Sequence, residues 1–273
     1  MHEHDPVELI ADEQSRLASE LRDLPTEVWT APSRCDSWSN ARVVGHLTFC
    51  AGMYRQSVIR GLNGDTAPPL GTDGQPMTRE QFSSHMADCE LALAQEAPPN
   101  LMDQFVQTGD ELMDVLRRLT PADHNRGAWH PVPAVTIATL EAIRMYELAL
   151  HGWDIRASVD AAAELRPELC PFLVDFVRRV FVPRACHPAM NLEGTCRFEV
   201  DGQTWTYQVG GGKIQEASPS AVPDAIIRTD PSTYLLLATS RRALPDRVDR
   251  VSMDGKHQQV QRLLIATCYR IIA

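Results

Sequence analysis

The chain has 273 residues, of which 44% are hydrophobic and 23% charged, and its formal net charge is −10. This composition is that of a globular protein rather than a disordered one, and the length suits two domains better than one. The acidic balance disfavours nucleic-acid binding, because contacts with phosphates need a basic surface. Apolar runs are far shorter than the ~20 residues of a membrane span, and the N-terminus lacks the features of a signal peptide. We therefore expect a soluble cytoplasmic protein.

The first 160 residues or so have the pattern of successive helices separated by segments rich in Pro and Gly. Apolar residues at helical spacing, together with cap and breaker residues, predict five helices. They cover residues 6–24, 37 or 39 to 60, 78–97, 100–119 and 135–162. The segments 61–77 and 121–133 are predicted loops, and Pro98 and Pro99 are predicted to break the chain.

The pattern changes after Pro167 to a mixture of short strands and helices. Helices are predicted over 168–181, 231–239 and 257–271, and strands over 195–200, 204–209, 213–216, 225–229 and 248–253. Asp201-Gly202 is a hairpin turn signal between the first two strands. The fold class is therefore predicted as α+β, with an all-α domain over residues 1–165 followed by a smaller α+β domain over 166–273.

Seven cysteines are scattered along the chain without a CxxC motif. The odd number and irregular spacing argue against a disulfide framework and against a cysteine zinc cluster. Reduced thiols in a cytosol fit the pattern better.

The most informative feature is the pair Glu147 and His151. On a helix of about 3.6 residues per turn, this spacing places the two side chains about 40° apart and one turn apart along the axis. Both lie in the middle of an apolar face that includes Leu140, Ile143 and Leu150. An ionisable pair that faces a core must be paired, protonated or bound to a metal, because an isolated buried charge is very costly. A carboxylate and an imidazole on one helical face commonly supply two ligands to zinc.

His46 is the candidate for a third ligand, because it also lies on the apolar face of its predicted helix. Two helices of a bundle can direct His46, Glu147 and His151 at a common point, which is how metal sites in bundle cores are built. Two histidines and one carboxylate leave an open position, as in catalytic rather than structural zinc sites.

Simpler interpretations of these residues stay open. A single inward histidine is more often a satisfied core residue, and a Glu/His pair at this spacing is often a surface pair. Asp154 either accepts a hydrogen bond from a ligating histidine or is an exposed or capping residue. Cys50, one turn after His46, is a fourth ligand or, in better agreement with its type, a small buried hydrophobic residue. His130 either lines a pocket or belongs to a loop.

Three segments of the chain resemble a known family. They are Trp29–Trp38 (WTAPSRCDSW), Val44–Leu47 (VGHL) and Glu147–Asp154 (ELALHGWD). They resemble the DinB-like metal-binding four-helix bundles and, more narrowly, the mycothiol-dependent maleylpyruvate isomerase family. Residues 225–230 and 235–242 are similar to the sterol-carrier-like domain that is often fused to these bundles.

The resemblance implies zinc, or another divalent metal, held by His46, Glu147 and His151, with mycothiol as thiol co-substrate. It also implies a contribution to activity from a C-terminal arginine, Arg241 or Arg242, although the family's Gly-Arg is here Ser-Arg-Arg. The extra segment 78–97 and the long loop 61–77 are expected to reshape the entrance to the site.

The expected function is activation of a small thiol as thiolate for attack on a small electrophile. The outcome is either S-transfer or thiol exchange in secondary metabolism or detoxification, or cis–trans isomerisation of the maleylpyruvate type. The partners are then a small thiol and a small electrophile, without nucleic acid or membrane. The alternative is a non-enzymatic protein whose C-terminal domain binds a small apolar ligand, with the bundle as structural partner.

Overall fold

The structure is a computed structural model that describes residues 5–35, 37–131, 135–184, 193–218, 220–242 and 249–255. The chain divides into two compact units, Met1–Glu164 and Leu165–Ala273. Within the described ranges, no helix combines the length and apolar character that a bilayer span requires. The helix predicted over 257–271 lies outside the described residues.

Long helices build the first unit. In chain order the elements are α1 (Pro6–Arg22), α2 (Thr26–Thr30), α3 (Asn40–Leu62), α4 (Arg79–Ala94), α5 (Pro98–Leu116), β1 (Gly127–Ala128), β2 (Val135–Thr136) and α6 (Ile137–Val159). Helix α3 packs on α5 and α6, α1 packs on the same two helices, and α4 packs along α3. The apolar side chains between them are fully buried, including Ile10, Leu47, Phe105 and Trp153.

Cap residues account for where these helices begin. Ser39 accepts a hydrogen bond from the Arg42 amide and caps α3, whereas Ser37, the other predicted start, has a φ of 62°. Thr78 caps α4 through a capping box with Gln81, as Thr–x–x–Gln sequences do. The predicted break between α4 and α5 is present, but it lies before the prolines, since α4 ends at Ala94 and α5 begins at Pro98, two residues before its predicted start. A proline is tolerated in the first turn of a helix because its missing N–H would have no helical partner there.

The second unit combines a sheet with short helices. It contains α7 (Cys170–Phe176), a π-helical turn (Val177–Phe181), α8 (Val182–Arg184) and α9 (Pro231–Ala238). Its strands are β3 (Gly194–Val200), β4 (Gln203–Gly210), β5 (Lys213–Glu216), β6 (Ala225–Thr229) and β7 (Val251–Gly255). Their order is β5-β4-β3-β6-β7, with β3 and β6 parallel and the other neighbours antiparallel.

The predicted hairpin at Asp201-Gly202 is present. Val200 pairs with Gln203, and the two residues between them have φ values of 47° and 77°. Positive φ at both central positions is characteristic of a type I′ turn. Helices and a mixed sheet in the order predicted confirm the α+β fold class.

Candidate functional site

The three predicted metal ligands lie together inside the first unit. Helix α3 carries His46, which is 8% exposed, and α6 carries Glu147 and His151. His46 Nε2 lies 3.7 Å from Glu147 Oε2, and the rings of His46 and His151 have centroids 5.0 Å apart. The packing of α3 against α6 therefore brings the imidazole of one helix close to the carboxylate and the imidazole of the other.

A buried carboxylate holds the Nδ1 atom of each histidine. Nδ1 of His46 donates to Oε1 of Glu90 at 2.6 Å, and Nδ1 of His151 donates to Oδ2 of Asp154 at 2.9 Å. The carboxylates are 1% and 0% exposed. With a carboxylate as its partner, each Nδ1 carries a proton, and in the neutral form of such a ring Nε2 keeps the lone pair that a metal would need. Metal-binding histidines have this arrangement.

Glu90 reaches the site because α3 and α4 approach each other closely at Gly45. A Cβ atom on Gly45 would lie 2.9 Å from the backbone oxygen of Glu90 and 3.1 Å from Leu93 Cβ. Arg42, one turn before His46, places a guanidinium nitrogen 3.8 Å from Glu90 Oε2. The sequence analysis missed Glu90, because it treated residues 78–97 only as an extra segment near the entrance. Of the alternatives for Asp154, the structure supports the hydrogen bond to a candidate ligand.

The electrostatics of the site keep Glu147 ionised. Burial opposes its charge, but the attraction of His46, and then of His151 and Arg144, lowers the pKa of Glu147 to about 2. Burial alone would also lower the pKa of His46, but Cys50, Glu147 and Glu90 outweigh it and raise this pKa well above 6.5. In the absence of a metal, the site therefore favours an imidazolium beside a carboxylate.

The donor atoms fit a divalent metal such as zinc. Oε2 of Glu147 is buried and accepts no hydrogen bond from the described residues, and its 3.7 Å separation from His46 Nε2 is too long for one. Two ligands of a tetrahedral zinc ion, each about 2.0–2.1 Å from it, lie about 3.3 Å apart. A small contraction would bring Glu147 Oε2 and His46 Nε2 to that spacing.

Two groups of potential ligand atoms occur in the described part of the chain. The atoms of His46, Cys50 and Glu147 all lie within 4.8 Å of one another, as do those of Cys35, His151 and Asp154. The predicted set is thus divided between two adjacent groups, each completed by a cysteine. Cys50 is 1% exposed, as a buried hydrophobic residue would be, but it also lines the site. Burial, and then the Glu147 carboxylate, raise the pKa of the Cys50 thiol.

Aromatic side chains enclose these groups. The Trp38 ring stacks on His151, with centroids 6.2 Å apart, and is tilted against His46 at 5.3 Å. Tyr54 is 1% exposed, and its ring stacks on His130 at 6.0 Å. Of the two interpretations of His130, the structure favours a position beside the site. Sequence reasoning missed Tyr54, although it follows His46 and Cys50 at steps of four residues along one face of α3.

The two predicted arginines belong to the second unit. The backbone amides of Arg241 and Arg242 both donate to the Leu236 carbonyl at the end of α9. Their part in binding a substrate stays a prediction.

Comparisons with known proteins identify the family. The family model for the "Mycothiol maleylpyruvate isomerase N-terminal domain" matches residues 10–156, which is more than half of the chain. The matched residues form the helical first unit, and an α+β unit follows it. The chain belongs to the mycothiol maleylpyruvate isomerase family.

Solved structures agree with this assignment. A crystal structure of the mycothiol-dependent maleylpyruvate isomerase has 12% sequence identity and a TM-score of 0.65, with 92% of each chain covered. A mutant of the isomerase gives a TM-score of 0.64 at the same identity and coverage. At this identity the likeness establishes the fold alone. A sterol carrier protein from Aedes aegypti matches 28% of this chain and 75% of that chain at 14% identity, with a TM-score of only 0.22. No curated protein sequence matches significantly.

Proposed function

We propose that this protein is a mycothiol-dependent enzyme whose residues His46, Glu147 and His151 hold a divalent metal, zinc in the first instance. Family membership supports the thiol and the isomerase-like class of activity. The observation that carries the metal site is the pair of buried carboxylates on the Nδ1 atoms of both histidines. Such contacts orient imidazoles for ligation through Nε2, and Glu147 adds a buried oxygen that accepts no hydrogen bond from the described part of the chain.

When bound, the metal supplies Lewis acidity that makes a coordinated thiol ionise at neutral pH, whereas a free thiol has a pKa of about 8.5. The residues of the chain prepare this place. Glu147 contributes the negative charge, because its pKa is lowered to about 2. Glu90 and Asp154 fix the tautomer and orientation of the two histidines. Trp38 stacks on the His151 ring and packs at an angle against the His46 ring.

The thiolate then attacks a small electrophile. In the isomerase outcome, a C–S bond forms at a cis double bond conjugated to a carbonyl, and the π electrons move to the carbonyl oxygen. Rotation about the new single bond and departure of the thiolate restore the double bond in trans. We propose that Arg241 or Arg242 binds a substrate carboxylate through charge-assisted hydrogen bonds. If the C–S bond persists, the reaction is S-transfer instead.

Metal analysis tests the site. Protein purified without added metal is expected to carry one zinc ion per chain, and His46→Ala and His151→Ala are expected to lose it. His85→Ala is the matched control, because His85 is an exposed histidine on α4. Full metal content in both site variants would refute the assignment. A parent protein without zinc, nickel or iron would favour the non-enzymatic alternative.

The thiol and the outcome are tested separately. Mycothiol is expected to stabilise the metal-loaded protein by about 2.7 kcal/mol at a hundred times its dissociation constant, which a thermal-shift titration measures. Mass spectrometry of the product distinguishes the reactions. An unchanged substrate mass indicates isomerisation of the maleylpyruvate type, and a stable thiol adduct indicates transfer.

A further inference from the structure

Cys50 lies beside two of the three proposed metal ligands, His46 and Glu147. It follows His46 by one turn of α3, so both side chains lie on the same face of the helix. Its Sγ atom is 3.7 Å from His46 Nε2, and it belongs to the group with Glu147 whose ligand atoms lie within 4.8 Å of one another. Cys50 is therefore one member of a compact cluster with nitrogen, oxygen and sulfur donors.

Two separations in this cluster are close to those between the ligands of a tetrahedral zinc ion. With zinc–sulfur and zinc–nitrogen distances of about 2.3 and 2.0–2.1 Å, the sulfur and nitrogen ligands lie about 3.6 Å apart. The observed separation of Cys50 Sγ and His46 Nε2 is 3.7 Å. The separation of Glu147 Oε2 and His46 Nε2 is also 3.7 Å. Little movement of either helix is needed for these three atoms to share one ion.

A second observation points to a missing hydrogen-bond acceptor at this place. The Tyr54 hydroxyl, one further turn along α3, is fully buried and has no hydrogen-bond partner among the described residues. It lies close enough to Glu147 and Cys50 to interact with both. An unsatisfied buried hydroxyl is costly, and a thiolate or carboxylate that ligates a metal would accept its proton in a hydrogen bond.

We propose that Cys50 is a resident fourth ligand that closes the metal site until the thiol co-substrate displaces it. This inference rests on the proposed metal site. As a small thiol R–SH enters, its sulfur bonds to the metal, the bond from Cys50 Sγ to the metal breaks, and the proton of R–SH passes to Cys50. One thiolate replaces another, so charge and protons balance. Four protein ligands characterise a closed zinc site. In this proposal only a thiol displaces Cys50 and gains the fourth position.

X-ray absorption spectroscopy at the zinc edge tests the resting state. The full-length zinc protein is reduced with a phosphine, so that no other thiol is present, and the number of sulfur atoms bound to zinc is determined. One sulfur is expected in the parent and none in Cys50→Ser. Cys89→Ser is the matched control, because Cys89 has the same four-residue spacing from a histidine and its Sγ lies 3.7 Å from His85 Nε2. It is expected to keep the sulfur.

The outcomes separate this inference from the metal site itself. Zinc bound without sulfur in the parent refutes the role of Cys50 and leaves the metal site standing, whereas the absence of zinc refutes both. Loss of the sulfur in Cys35→Ser, with retention in Cys50→Ser, would assign the ligand to the neighbouring group and overturn the proposal. If Cys50→Ser does not fold, Cys50→Ala keeps the buried position apolar and takes its place.

Addition of mycothiol tests the displacement. The parent is expected to show one sulfur before and after addition, because the incoming sulfur replaces Cys50. In the Cys50→Ser variant, the number of sulfur atoms bound to zinc is expected to rise from none to one. This variant is also expected to bind mycothiol more tightly, because no internal sulfur ligand has to leave. Two sulfur atoms in the parent after addition would show that Cys50 stays bound, and would refute displacement.

Discussion

Replacement of Glu90 is the perturbation whose effect the structure predicts in most detail. Glu90 is 1% exposed and lies 44 residues from His46 along the chain, yet its Oε1 accepts the Nδ1 proton at 2.6 Å. Glu90→Gln keeps a hydrogen-bond acceptor and removes the charge. Glu90→Leu removes both at similar volume. The pair separates the contribution of the charge from that of the orientation of the ring.

The magnitude follows from this single contact. A hydrogen bond to a charged group contributes about 1.5–3 kcal/mol, and loss of a partner of a ligating histidine typically costs 10–100-fold in metal affinity. We expect Glu90→Gln to weaken zinc binding about tenfold, or about 1.4 kcal/mol, because its amide oxygen still accepts. We expect Glu90→Leu to weaken it about a hundredfold, since nothing then holds the ring.

Competition with a chromogenic chelator measures the zinc affinity of the folded variants. Asp88→Asn is the control, because it removes the same charge from an exposed position on the same helix. It is expected to change the affinity less than twofold. If Glu90→Leu binds zinc as tightly as the parent, Glu90 does not orient His46 for a metal, and the reasoning is refuted.

Three further predictions concern pH, packing and substrate. Zinc binds neutral His46, whose pKa is raised above 6.5, so the apparent zinc dissociation constant should rise towards tenfold per unit as pH falls below that pKa. A pH-independent constant in calorimetry would contradict this. Gly45→Ala, whose Cβ would meet the Glu90 backbone at 2.9 Å, should cost about 1–3 kcal/mol in denaturant unfolding. Gly52→Ala is the control, because a Cβ atom there would have no neighbour within 4 Å, and it should raise the free energy of unfolding by up to about 1 kcal/mol. Equal effects of the two substitutions would exclude the packing argument. Arg241→Ala or Arg242→Ala should raise the KM for a carboxylate-bearing substrate at unchanged zinc content, and unchanged kinetics in both would remove the proposed arginine.

Much of the fold could be predicted because its signals are local. The periodicity of apolar residues placed the long helices within a few residues of their observed bounds, and Ser39 and Thr78 act as caps. The hairpin at Asp201-Gly202 follows from two adjacent residues that accept positive φ. The start of α5 at Pro98 was missed because proline favours both breaks and first turns. Periodicity alone does not distinguish these two roles.

The sequence by itself determined that Glu147 and His151 share one helical face and that His46 faces inward on another, because helical geometry relates neighbours three or four residues apart. Only the tertiary structure decided which distant groups complete the site. The register of α4 against α3, which the absence of a side chain at Gly45 permits, brings Glu90 to His46. The register of two helices depends on many small contributions from all the residues at their interface. A short sequence motif therefore does not predict it.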